Sequence, residues 1–273
     1  MTKAEHEAES LVFDLGLSLP ILPESVCKLI SEPGFHVSYE VEPMQTGGFL
    51  GMSQAVDGGA LIIVNEGIEN TGRKKFTGAH EIGHVVLHIQ KGIKNSFKCT
   101  KSDFFAGTKA SLEREANEFA SSLIMPKALI GDVVRQNDLS WQLIQSIRQD
   151  CGTSLEATAR RVISISDDVC ALLIHKDGKM WFPIKSKHFK SAKHFVPMCL
   201  FPKGMETFPD SPTEELPDYL LDCDPTDWGL DDKGLPDSIQ YCSIRNEEHD
   251  KTMTLLFVPE VDEEDTEWDD PTF

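Results

Sequence analysis

The sequence has no C-x-x-C pair, no long apolar run and almost no positive charge in its last quarter. Each absence excludes something. Seven cysteines, at 27, 99, 151, 170, 199, 223 and 242, are odd in number and scattered. That argues against a disulfide framework or a thiolate zinc site and for a reducing compartment, with most of the thiols buried as small apolar groups. No stretch approaches the roughly 18 apolar residues of a membrane span. The first ten residues, MTKAEHEAES, are polar and charged and do not read as a secretory signal, so a cytoplasmic protein is expected.

Charge is uneven along the chain. Residues 1–204 carry 23 acidic and 23 basic side chains, whereas residues 205–273 carry 22 acidic and three basic ones. The whole net charge of −19 therefore lies in the last quarter, a surface that repels phosphate. Direct nucleic-acid binding is not expected, and the acidic region reads as solvated or partly disordered. The basic cluster Lys185, Lys187, Lys190, Lys193 and Lys203, with His188 and His194, reads as a solvated loop.

What is present is a helix–strand alternation suited to an α+β fold. Apolar positions at Ala4, Ala8, Leu11, Val12 and Leu15 form one helical face. A short helix follows from Pro23 to Pro33-Gly34, then strands at about 35–41, 47–52 and 60–64. A buried-stripe helix is predicted over 73–90, a Lys-rich loop over 91–107, and a second helix over 109–124, stopped by Met125-Pro126. Three short helices near 129–134, 141–149 and 155–163 have a helix-turn-helix cadence at Cys151-Gly152-Thr153, though few basic side chains lie on them. A hairpin about Asp177-Gly178, a strand at 252–258 and a long loop at 209–236 complete the reading. The expected division is residues 1–128, a helical extension over 129–165, and a β-rich acidic domain over 166–273.

The chemistry concentrates at His80-Glu81-Ile82-Gly83-His84. Residues four apart on a helix project from one face, so both imidazoles reach a single ion. Catalytic zinc takes three protein ligands and leaves a fourth position to water, and a glutamate beside the first ligand is placed to act as general base. The third ligand is less determined. His88 lies a further turn along, and three ligands on consecutive turns would span roughly 12 Å, too far for one ion. His88 is therefore a neighbour of the site or a surface residue. The next helix offers Glu113, Glu115 and Glu118, of which spacing mildly favours Glu113, on the face shared with Asn117.

The stretch RKKFTGAHEIGHVVLH, followed by EREANEFASSLIMP and preceded by LIIVNE, resembles the ImmA/IrrE family of metallo-endopeptidases over about residues 5–165. The resemblance implies a zincin-like peptidase domain, zinc ligands at His80, His84 and Glu113, and Glu81 as base. His88 and Asn117 are then candidates for supporting the ligands, and manganese or iron(II) fits the same set. It also implies a substrate: a helix-turn-helix transcriptional repressor, cut to induce mobile-element or stress-response genes. Two other functions use the same residues. One is a repressor-binding regulator whose zinc is structural; the other is a toxin or host-defence effector protease.

Overall fold

The computed structural model describes residues 1–43, 48–100, 111–191, 200–210, 215–230 and 235–259. The architecture is mixed α+β, and the chain forms two compact units. One comprises residues 1–136 with 144–161, the other residues 137–143 with 162–273.

In the first unit, helices α1 (Lys3–Asp14) and α2 (Pro23–Leu29) precede strands β1 (His36–Glu42), β2 (Phe49–Val56) and β3 (Gly59–Asn65). Helix α3 (Thr71–His84) begins at an Asn70 cap, whose side chain accepts from the Arg73 amide at 2.8 Å. It passes into one π-helical turn, Val85–Ile89. Strand β4 (Ser96–Thr100) and helix α4 (Ser111–Ile124) follow. The sheet order is β1-β3-β2-β4, with β1 parallel to β3 and the other pairs antiparallel.

Strand β4 corrects the expectation of a loop over 91–107. Ser96 to Thr100 alternates out and in, with Phe97 and Cys99 buried and Lys98 exposed, and this two-residue period pairs it to β2. Five residues among lysines are too few for composition to reveal the alternation. Residues 101–107 of that expected loop lie outside the described residues.

Helices α3 and α4 pack closely because the facing positions are small. A Cβ on Gly83 would lie 3.1 Å from Phe119 Cδ1 and 3.2 Å from Ala116 Cα. The buried α4 stripe is Ala116, Phe119, Ala120 and Leu123. Its two large members each contribute about 1.5–3 kcal/mol through burial. Elsewhere, α5 (Lys127–Gln136) has its first amides capped by the Glu9 carboxylate, which lies 2.6 Å from Lys127 N and 3.2 Å from Ala128 N. Buried Arg161 donates to Glu9 at 2.9 Å and to the Met125 carbonyl at 2.9 Å, tying α1 to the end of α4. The stretches about helices α6 (Trp141–Cys151) and α7 (Leu155–Ile165) complete the helical content of this part of the chain.

The second unit is built on one sheet. Strands β5 (Cys170–Lys176) and β6 (Lys179–Lys185) form a hairpin through Asp177 and Gly178, at φ 51° and 71°. Positive φ at both positions is what a tight two-residue turn requires. After α8 (Lys187–Ser191) come β7 (Phe208–Pro209), β8 (Leu221–Cys223), β9 (Ile239–Asn246) and β10 (Lys251–Phe257), in the order β6-β5-β10-β9-β7, with β8 also paired to β9. The expected loop over 209–236 thus contains β8 and a 3-10 turn at Pro225–Trp228, whose Trp228 is buried. The acidic last quarter likewise contributes two central strands, rather than being solvated throughout. Its end, residues 260–273, and the basic-cluster members Lys193 and His194 lie outside the described residues.

Candidate metal centre

Four side chains from three elements converge in the first unit: His80 and His84 on α3, Glu113 on α4 and Cys99 on β4. One donor atom from each lies within 4.8 Å of all the others. The His80 and His84 Nε2 atoms are 3.0 Å apart. Glu113 Oε2 is 3.2 Å from the first and 3.1 Å from the second. Cys99 Sγ is 3.0 Å from His80 Nε2 and 3.8 Å from Glu113 Oε2. Donors bound tetrahedrally at zinc's usual distances stand about 3.3–3.6 Å from one another. The His80, His84 and Glu113 separations lie within a few tenths of an ångström of that frame, whereas Cys99 Sγ stands about half an ångström closer to His80 Nε2 than tetrahedral ligation would set it.

The hydrogen bonds at the back of each ring select the tautomer a metal needs. His80 Nδ1 lies 2.9 Å from Asn117 Oδ1, an acceptor, so the proton sits on Nδ1 and the Nε2 lone pair faces the centre. His84 Nδ1 lies 3.1 Å from His88 Nδ1, and His88 Nε2 lies 3.2 Å from Glu115 Oε2. Since Glu115 accepts from His88 Nε2–H, His88 Nδ1 is the acceptor for His84. His84 Nε2 is therefore also a lone pair. Two lone pairs 3.0 Å apart repel unless a cation stands between them, and that is the test the donor set passes.

The electrostatics agree. Burial lowers the His84 pKa to about 4, keeping the ring neutral. Phe97 of β4 stacks on His84 with centroids 3.8 Å apart and planes at 13°, fixing the ring's orientation.

Glu81 is fully buried, and neither carboxylate oxygen has a hydrogen-bond partner among the described residues. Burial pushes its pKa up to about 7, against the pull of His80 and of the polar groups of Cys99 and Ser53. Room for it comes from β2: a Cβ on Gly51 would stand 2.8 Å from Glu81 Oε1. A buried carboxylate with no protein partner is costly to keep unless something outside the protein completes it.

Of the residues singled out in the sequence, His80, His84 and Glu113 are thus brought to one point, with Glu81 beside them. Asn117 stands behind His80 and His88 behind His84. Glu115, the competitor for the third position, faces His88 instead, and Glu118 is not in the cluster. The π turn at Val85–Ile89 carries His88 one residue past the α-helical register. Cys99 was missed, having been grouped with the inert buried thiols. The alternation of Phe97 and Cys99 was the available signal.

Among known proteins, the family model described as the IrrE N-terminal-like domain, Peptidase_M78, matches residues 31–162. A solved Mycobacterium tuberculosis transcriptional regulator is similar in fold, with a TM-score of 0.52 at 12% identity, over 94% of this chain and 77% of that one. No curated protein sequence matches the chain. No helix of the described residues is long and apolar enough to cross a membrane.

Proposed function

Because the chain belongs, through residues 31–162, to the ImmA/IrrE family, we propose that it is a zinc-dependent endopeptidase that cuts a helix-turn-helix transcriptional repressor. The observation that carries the chemistry is the convergence of His80, His84 and Glu113 beside a buried, unpartnered Glu81. Zinc suits these donors best, since a neighbouring thiol disfavours the harder manganese and iron(II) ions. Once held by the two imidazoles and the carboxylate, the ion supplies Lewis acidity that makes water reactive near neutral pH and polarises a scissile carbonyl.

The remaining work falls to side chains. Glu81 accepts the proton of the attacking water at its carboxylate and returns it to the leaving amine. Asn117 and His88 hold the two rings in the tautomer that presents Nε2. Glu113 stays ionised and so offsets the charge of a dication. Strand β4 supports a peptide substrate: it pairs only with β2 among the described residues, leaving an edge along which an extended segment can add. The repressor itself follows from the family resemblance.

One observation favours a second reading. Cys99 completes a four-donor set, and closed four-ligand sites are usually structural, as in a regulator that sequesters the repressor without cutting it. Glu81 speaks for catalysis, because a structural site has no use for a base. The purified chain should cleave the repressor encoded beside it, with chelator abolishing cleavage and mass spectrometry locating the new termini. Glu81→Gln should retain the metal and lose activity by about 10²–10⁴-fold. Undiminished cleavage by that variant refutes Glu81 as the base, whereas no cleavage by any form of the chain rules the peptidase reading out.

A further inference from the structure

The position of Cys99 answers a question that the other three ligands leave open. Strand register sets it opposite Gly51 on β2, and Gly51 is the residue whose missing side chain makes room for Glu81 Oε1. The thiol therefore stands on the Glu81 side of the cluster, 3.0 Å from His80 Nε2. A reacting water must occupy that same place, in reach of both base and metal.

A merely inert thiol would sit among apolar neighbours. This one meets a ring nitrogen whose partner atom is already committed to Asn117, and a carboxylate oxygen at 3.8 Å. We propose that Cys99 is a fourth metal ligand, and that its thiolate holds the site closed, so that the resting peptidase is latent. On metal binding the S–H bond breaks, its proton passes to solvent and the sulfur–metal bond forms. Opening reverses this: the sulfur–metal bond breaks, the thiolate takes a proton from solvent, and water enters the position beside Glu81. No oxidant is needed.

The gating half rests on the peptidase reading; the ligation half does not. The closed, four-donor appearance and the retained base then belong to one molecule in two states, the structural-looking site being the resting one.

The test uses the full chain loaded with cobalt(II) in place of zinc. Thiolate ligation gives an intense near-ultraviolet sulfur-to-cobalt charge-transfer band. Cys99→Ala and Cys99→Ser should each keep the ion and lose that band, although six other cysteines remain. With zinc, both variants should cleave the repressor faster. If nine molecules in ten rest closed, the increase is about tenfold.

A wild-type spectrum without the band overturns the proposal and leaves the peptidase reading intact, and this measurement needs no variant to fold. A band that is lost on substitution, with cleavage unchanged from an active wild type, overturns the latency. A band lost on substitution with no cleavage by any form upholds the ligand and removes the peptidase reading.

Discussion

Each unit of this protein buries histidine, and the two do so in opposite ways. In the first, His80, His84 and His88 are fully buried, and every back-side nitrogen meets an acceptor or donor: Asn117, a neighbouring ring or Glu115. In the second, His175 of β5 is equally buried, yet neither ring nitrogen has a hydrogen-bond partner among the described residues. Its surroundings are aromatic, with Phe201 edge-on at 5.4 Å and Trp228 at 6.1 Å. Burial alone therefore says little about function. What distinguishes a site is that the bonds on one side of the rings fix the tautomer, so that the lone pairs on the other side converge. His175 has no such arrangement and serves as an uncharged filler of the core.

The comparison breaks most severely if the two kinds of histidine behave alike toward metal. His84→Ala should reduce bound metal well below one ion per chain, because it removes one of the two imidazoles and leaves only His80, Glu113 and Cys99 to hold the ion. His175→Ala should leave metal content unchanged. Elemental analysis of both proteins after dialysis measures this, and metal lost equally from both would end the distinction. A smaller effect sharpens it. Asn117→Ala keeps all the donors but frees the His80 ring, so metal affinity should fall by about 10–100-fold, as read by competition with a chromogenic chelator. An unchanged affinity would mean that the hydrogen bond behind His80 does not orient it.

How much of this was legible in the sequence depends on which physical rule places each residue. The α3 histidines and Glu81 were legible because helical periodicity fixes their facing whatever the surroundings. Glu113 and Asn117 were partly so: spacing put them on one face of α4, and small Ala116 and Ala120 implied a close approach. Which glutamate would arrive could not be settled by spacing, since Glu113 and Glu115 differ only in tertiary placement. Cys99 depends on strand register, a relation to β2 more than forty residues away, and five residues of alternation do not announce it. The π turn is a local insertion decided by packing, and β9 was hidden because the acidity of residues 205–273 as a whole masked the alternation of Ile239 and Tyr241 on one face.

The smallest effect tests the other side of the comparison. Burial lowers the His175 pKa to about 4 from an unfolded value near 6.5. Between those values the unfolded chain binds a proton that the folded chain refuses. The contribution of a neutral His175 is thus complete above pH ~6.5 and is lost as pH falls toward 4, with a slope of at most about 1.4 kcal/mol per pH unit for one proton. His175→Leu removes that proton, so its stability should fall less steeply than the wild type's across this window. The two should run parallel above it. Trp141, Trp181 and Trp228 belong to the second unit, so denaturant unfolding followed by tryptophan fluorescence reports on the unit that contains His175. Equal slopes for the two proteins between pH 4 and 6.5 would mean that His175 is charged in the folded state, and that a buried histidine without a visible partner is not simply filling space.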